Sequence, residues 1–115
     1  IWNWVQTDPQ YRNKTTLLIT TDHGRGHLDL EQWKHHGRFP YTSPDGTEKI
    51  ADIKEDDAIW MAVIGPDTPA TGEMKNIPDV KQNQIAATLM KFLGLSYKGS
   101  HKTIKAGAPI KMMFR

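Results

Sequence analysis

This sequence of 115 residues predicts an α/β fold with a mostly parallel sheet, on three observations. Two short apolar runs, residues 16–21 and 58–64, read as strands with β-branched side chains and unbroken apolar centres. Continuous rather than alternating apolarity is the pattern of a strand buried on both faces, as in a parallel sheet covered by helices. The third observation is the stretch 81–93. There Ile85, Leu89, Phe92 and Leu93 recur at i, i+4, i+7 and i+8, and Gly94 follows as a helix stop.

Taken in order, Ile1, Trp2, Trp4 and Val5 suit the last turns of an amphipathic helix, broken at Asp8-Pro9. Residues 11–14 are polar and turn-like and lead into the first strand, which ends at Thr21. Residues 24–57 read as a long irregular loop holding Gly24, Gly26, Gly37 and Gly46 with Pro40 and Pro44. A short helical turn is expected over 28–34, and a loop of this length inside a compact domain is usually functional or disordered, the histidines and Trp33 arguing for functional. Gly65-Pro66 ends the second strand, and residues 67–78 form a turn-rich connection to the helix. The basic, glycine-punctuated stretch 96–115 is expected to close as a hairpin or as an edge strand over 110–114. Two parallel-type strands make a poor sheet by themselves, and the helices needed to cover both faces are barely supplied. Residues 1–115 are therefore expected to be a single partial domain, the end of a larger α/β domain. A first residue Ile1 rather than Met fits a processed or truncated piece.

The totals narrow the function classes. A hydrophobic share of 37% is that of a globular chain rather than a disordered one. The formal charge of +2 is nearly balanced, and Lys and Arg are scattered without interleaved aromatic residues, so nucleic acid is not an expected partner. There is no cysteine, which excludes disulfides, thiolate metal sites and a cysteine nucleophile. No apolar run is long enough for a membrane span. Of five histidines, four lie between His23 and His36, and that clustering carries more information than the number.

The first strand ends in Asp22-His23-Gly24, a hard oxygen and an imidazole nitrogen that suit zinc or a similar divalent ion. Neighbours on an ideal strand point to opposite faces, but Gly24 lets the backbone turn so that the pair can converge at the strand's C-terminal end. Ligands in open α/β sheets sit at that end. The competing reading is a turn-capping aspartate beside an ordinary loop histidine. His35-His36-Gly37 is the second candidate, on a loop able to swing back to the same rim with Trp33 as a pocket wall; two solvated surface histidines are the alternative. His27 is either a ligand or a loop residue, and His101 is expected at the surface. Arg25 and Arg38 are candidates for holding an anionic substrate through paired hydrogen bonds.

Thr20-Thr21-Asp22-His23-Gly24-Arg25-Gly26, followed by Trp33-Lys34-His35-His36-Gly37, resembles the alkaline phosphatase superfamily, which includes phosphodiesterases, cofactor-independent phosphoglycerate mutases and sulfatases. Residues 59–66 and 84–95 are similar to the strand and helix that close those domains, so the resemblance spans roughly residues 1–97. It implies the C-terminal part of an α/β/α sandwich and a metal-dependent phosphate-ester hydrolase or phosphotransferase using two divalent ions. Zinc is the first choice of metal, with manganese, magnesium or calcium as alternatives. By motif position Asp22 and His23 would bind the ion that activates a Ser or Thr nucleophile, and His36, with His35 as fallback, the second ion. Arg25 would contact a phosphate ester or, less favoured, a sulfate ester. The family's nucleophile and half of its carboxylate and histidine ligands belong to a segment absent from these residues, so the chain alone is expected to be inactive and to need that N-terminal part. The resemblance favours a periplasmic or secreted location, with no signal visible. Apolar faces left open are expected to promote self-association. The rival expectation is a small non-catalytic α/β interaction module with incidental histidines.

Overall fold

The computed structural model describes residues 1–25, 36–53, 56–97 and 105–115. Gly26, His27, Trp33, His35, His101 and the helical turn expected over 28–34 lie outside the described residues. The chain divides into two compact units, Ile1–Leu17 with Val63–Arg115, and Leu18–Ala62.

Helix α1 (Trp2–Thr7) is short, buries Val5, and stops where Asp8 turns extended ahead of Pro9. Strand β1 (Leu17–Thr20) pairs with β4 (Met61–Ile64) in one two-stranded sheet, and β2 (Arg38–Thr42) pairs with β3 (Glu48–Asp52) in another. Among the described residues the predicted mostly parallel sheet is not present. Strands β2 and β3 are antiparallel, with Pro40 opposite Ile50. At one end of the other sheet Thr20 Oγ1 donates to the Trp60 carbonyl at 3.0 Å. At the other end, a Cβ placed on Gly65 would stand 2.8 Å from Thr16 Cα. The start of β1 thus lies beside the end of β4, and these strands too run antiparallel. A parallel neighbour needs a crossover, usually a helix. The described part of the connection from β1 to β4 holds a hairpin instead. At the coarse level a mix of helix and strand stands; the parallel α/β/α arrangement does not.

The expected burial of both strands on both faces also gives way. Ile19 is 45% exposed and Trp60 55%, and β4 alternates, with Met61 and Val63 half-buried and Ala62 and Ile64 open. A two-stranded ribbon has one face to cover and one to leave outside, whatever side chains it carries.

The β2–β3 hairpin occupies the middle of what reads as irregular loop. Its turn is Ser43-Pro44-Asp45-Gly46, with a Gly46 N–H bond to the Ser43 carbonyl at 2.8 Å and a Ser43 N–H bond to the Thr47 carbonyl at 2.9 Å. Gly46 takes φ +81°, the left-handed position that a three-residue hairpin loop requires. Asp45 locks the turn by accepting from the Thr47 hydroxyl, from the Thr47 N–H at 3.0 Å and from Ser43 Oγ at 2.9 Å. These bonds, the Thr47 hydroxyl foremost, hold the Asp45 carboxyl below its ordinary 3.8. A lowered carboxylate pKa stabilises the fold fully above the ordinary value and loses that contribution as pH falls through the lowered one. Protection of the Thr47 amide, measured against its intrinsic exchange rate at each pH, is therefore expected to fall below pH 3.8, and Asp45→Asn to abolish that acid step; an identical acid profile in the variant would refute the assignment.

In the larger unit, α2 (Ile85–Phe92) follows a 3₁₀ turn at Gln82–Gln84, whose Gln84 Oε1 accepts the Lys81 N–H at 2.8 Å. The predicted glycine stop is realised. Gly94 adopts φ +70°, its N–H reaches the Lys91 carbonyl at 3.0 Å, and the Leu95 N–H reaches that of Met90 at 2.9 Å, a Schellman closure. The buried face is set by Ala87 and Thr88 rather than by the leucines; Leu93 is 70% exposed. Residues 110–114 form no edge strand; the segment 105–115 is held in another way. Its backbone bonds to polar side chains around the helix start: Asn83 Nδ2 to the Lys105 carbonyl at 3.0 Å, Gln84 Nε2 to that of Ala108 at 3.0 Å, and the Ile110 N–H to Thr88 Oγ1 at 3.0 Å. With those groups already satisfied, Lys111–Met113 closes as a 3₁₀ turn.

Candidate metal centre

The candidate residues lie where β1 ends and where β2 begins, all within the unit Leu18–Ala62. Past Thr20 the chain leaves the ladder. Asp22 is exposed, and its Oδ1 accepts the N–H of His23 at 3.0 Å, which folds the carboxylate back over the imidazole. His23 Nδ1 lies 2.7 Å from the Gly24 carbonyl. A carbonyl only accepts, so Nδ1 carries the hydrogen, and in the uncharged tautomer this leaves the ring's lone pair on Nε2. This is the tautomer and backbone bond typical of an Nε2 metal ligand. Asp22 Oδ1 stands 3.8 Å from that Nε2. One tetrahedral ion with bonds of ~2.0–2.2 Å would hold two such donors about 3.4 Å apart, so a few tenths of an ångström separate the pair from a binding geometry.

His36, distant in sequence, is brought against His23. The two imidazoles stack with centroids 4.3 Å apart and planes 29° from parallel. Imidazole lone pairs lie in the ring plane, so two nearly parallel rings do not aim at one point. Among the described residues no three His, Asp or Glu side chains gather around one position. The donors present among the described residues amount to an Asp–His pair and one further imidazole.

The hairpin is what returns His36 to the rim of β1. Gly37 sits at its base with φ +66°, and its carbonyl accepts the Ile53 N–H at 3.0 Å; Ile53 is 2% exposed and anchors that end. The Gly37 N–H donates to the Asp56 carboxylate, and the Gly24 N–H donates to the Asp56 backbone carbonyl. Sequence reading passed over both the hairpin and Asp56. The Ser-Pro-Asp-Gly turn between two β-prone runs was a usable signal for the hairpin; a lone aspartate in a loop offered none. Arg25, beside Gly24, is exposed, and Arg38 opens β2. No protein-family profile, curated protein or solved structure matches the chain.

Proposed function

We propose that this chain contributes part of the metal centre of a phosphate-ester hydrolase or phosphotransferase, as the C-terminal portion of an alkaline-phosphatase-like enzyme. The observation that supports it most is the stacking of His23 on His36 at 4.3 Å, with Asp22 beside the Nε2 edge of His23. Asp22 and His23 would hold one divalent ion and His36 a second, zinc being the metal that this mixed oxygen and nitrogen set suits best. When bound, such ions supply charge stabilisation for a phosphoryl group in transfer and a lowered pKa for an attacking hydroxyl. The chain's own share is positional. The Gly24 carbonyl fixes the tautomer of His23, the hairpin sets the His36 ring in place, and Arg25 lies exposed next to Gly24 as the residue that would contact an anionic substrate. A nucleophile and further ligands would come from a preceding part of the same protein. The open apolar side chains of both units, Trp60 in one and Leu93 in the other, agree with surfaces meant for that missing partner.

Zinc titration of the full chain, followed by the imidazole proton signals of all five histidines, tests the proposal. Early and saturable shifts at His23 and His36, ahead of His101, are expected. A uniform drift of all rings, or none at these two, would remove its support.

A further inference from the structure

We propose that Asp56 is the positioning residue of this centre, bracketing both histidine-bearing segments. Its two acceptors are divided between them. The backbone carbonyl takes the N–H of Gly24, directly after His23, and the carboxylate takes the N–H of Gly37, directly after His36. Each bond acts one residue from an imidazole, so together they set how far apart the two rings stand. The segments bearing His23 and His36 share no strand ladder. The Asp56 bracket holds their glycines at a fixed span, and the 4.3 Å stack results.

The two halves of the bracket differ in strength and in dependence on the side chain. The Gly24 bond uses backbone and survives any substitution at Asp56. The Gly37 bond ends on an ionised oxygen, which makes it roughly twice as strong as a neutral amide bond, and it exists only with an acceptor at that side chain. Gly37 is itself a position that favours glycine. Its φ of +66° disfavours other residues, and an added Cβ would rest 3.8 Å from the Asp56 oxygen. Asp56 itself is half-buried.

The consequence for metal binding rests on the proposed function, whereas the geometric role does not, and the experiment keeps the two apart. In the metal-free full chain a nuclear Overhauser cross-peak between the His23 and His36 ring protons reports the stack directly. Asp56→Ala is expected to weaken that cross-peak several-fold, while Asp56→Asn, whose amide oxygen still accepts the Gly37 N–H, retains it. The amide signal of Ile110, in the other unit, should stay unmoved in both. In the unsubstituted chain the Gly24 and Gly37 amides should be protected from exchange at least tenfold, a measurement that needs no variant. Unprotected glycine amides, or an unchanged cross-peak in Asp56→Ala, would overturn the positioning role. Zinc affinity should fall about tenfold in Asp56→Ala, the usual cost of losing a residue that orients ligands. A cross-peak that responds as expected, with no zinc response in any chain, would defeat the metal reading and leave the bracket standing.

Discussion

Replacing His23 by alanine is expected to weaken zinc binding by at least ~100-fold, the upper end of what is lost even when only a ligand-orienting partner is removed. His36→Ala should act differently. In the proposed assignment His23 serves one ion and His36 the other, their stacked rings having no common point in their planes for a single ion. The His36 variant should therefore lose one binding event and keep the other largely intact. Competition against a chromophoric chelator gives both affinity and stoichiometry. Neither substitution should disturb the fold by more than about 0.5 kcal/mol, since neither ring lies in a core, and a melting curve controls for that. Identical zinc binding by all three chains would take the imidazoles out of the proposal. A single event lost equally in both variants would show that the rings share one ion.

The second large effect concerns the core of the larger unit. Ile110 is 2% exposed and is, with Thr88, the largest side chain fully enclosed among the described residues. Ile110→Ala should cost about 2–5 kcal/mol through lost burial and an unfilled cavity. Thr88→Val tests the polar half of the same joint. The Thr88 hydroxyl donates to the Gln84 carbonyl at 2.7 Å and accepts the Ile110 N–H at 3.0 Å. Valine fills the space but leaves a buried N–H without its acceptor, a loss of about 1–3 kcal/mol. The two changes strike one joint between α2 and the C-terminal segment, so their combined cost should fall short of the sum. Urea unfolding should show lowered midpoints at unchanged slope. Against a typical domain stability of about 5–15 kcal/mol, an Ile110→Ala midpoint equal to that of the unsubstituted chain would mean that this segment is not docked as described.

What could be read in advance follows from how local each signal is. Helix α2 and its Gly94 stop were legible because a periodic stripe and a left-handed cap are properties of neighbouring residues. Strands β1 and β4 were found for the same reason, while their direction and exposure were misjudged. An apolar run states that a segment prefers company; it does not state which way its neighbour runs or how many layers cover it. The C-terminal stretch was misread as a strand because its apolar residues suit one. Its hydrogen-bond partners, Asn83, Gln84 and Thr88, are more than twenty residues earlier in the chain.

By itself, then, the sequence determined the chemistry on offer: a carboxylate and an imidazole at the end of an apolar strand, a second histidine before a glycine, and no thiol. Only the tertiary structure decided that His36 lies on His23, that a hairpin carries it there, and that Asp56 joins the glycines behind both rings. The reason is physical. Residue type dictates which bonds an atom can make, but distances between segments far apart in the chain depend on turns and long-range hydrogen bonds, which no short window of sequence contains.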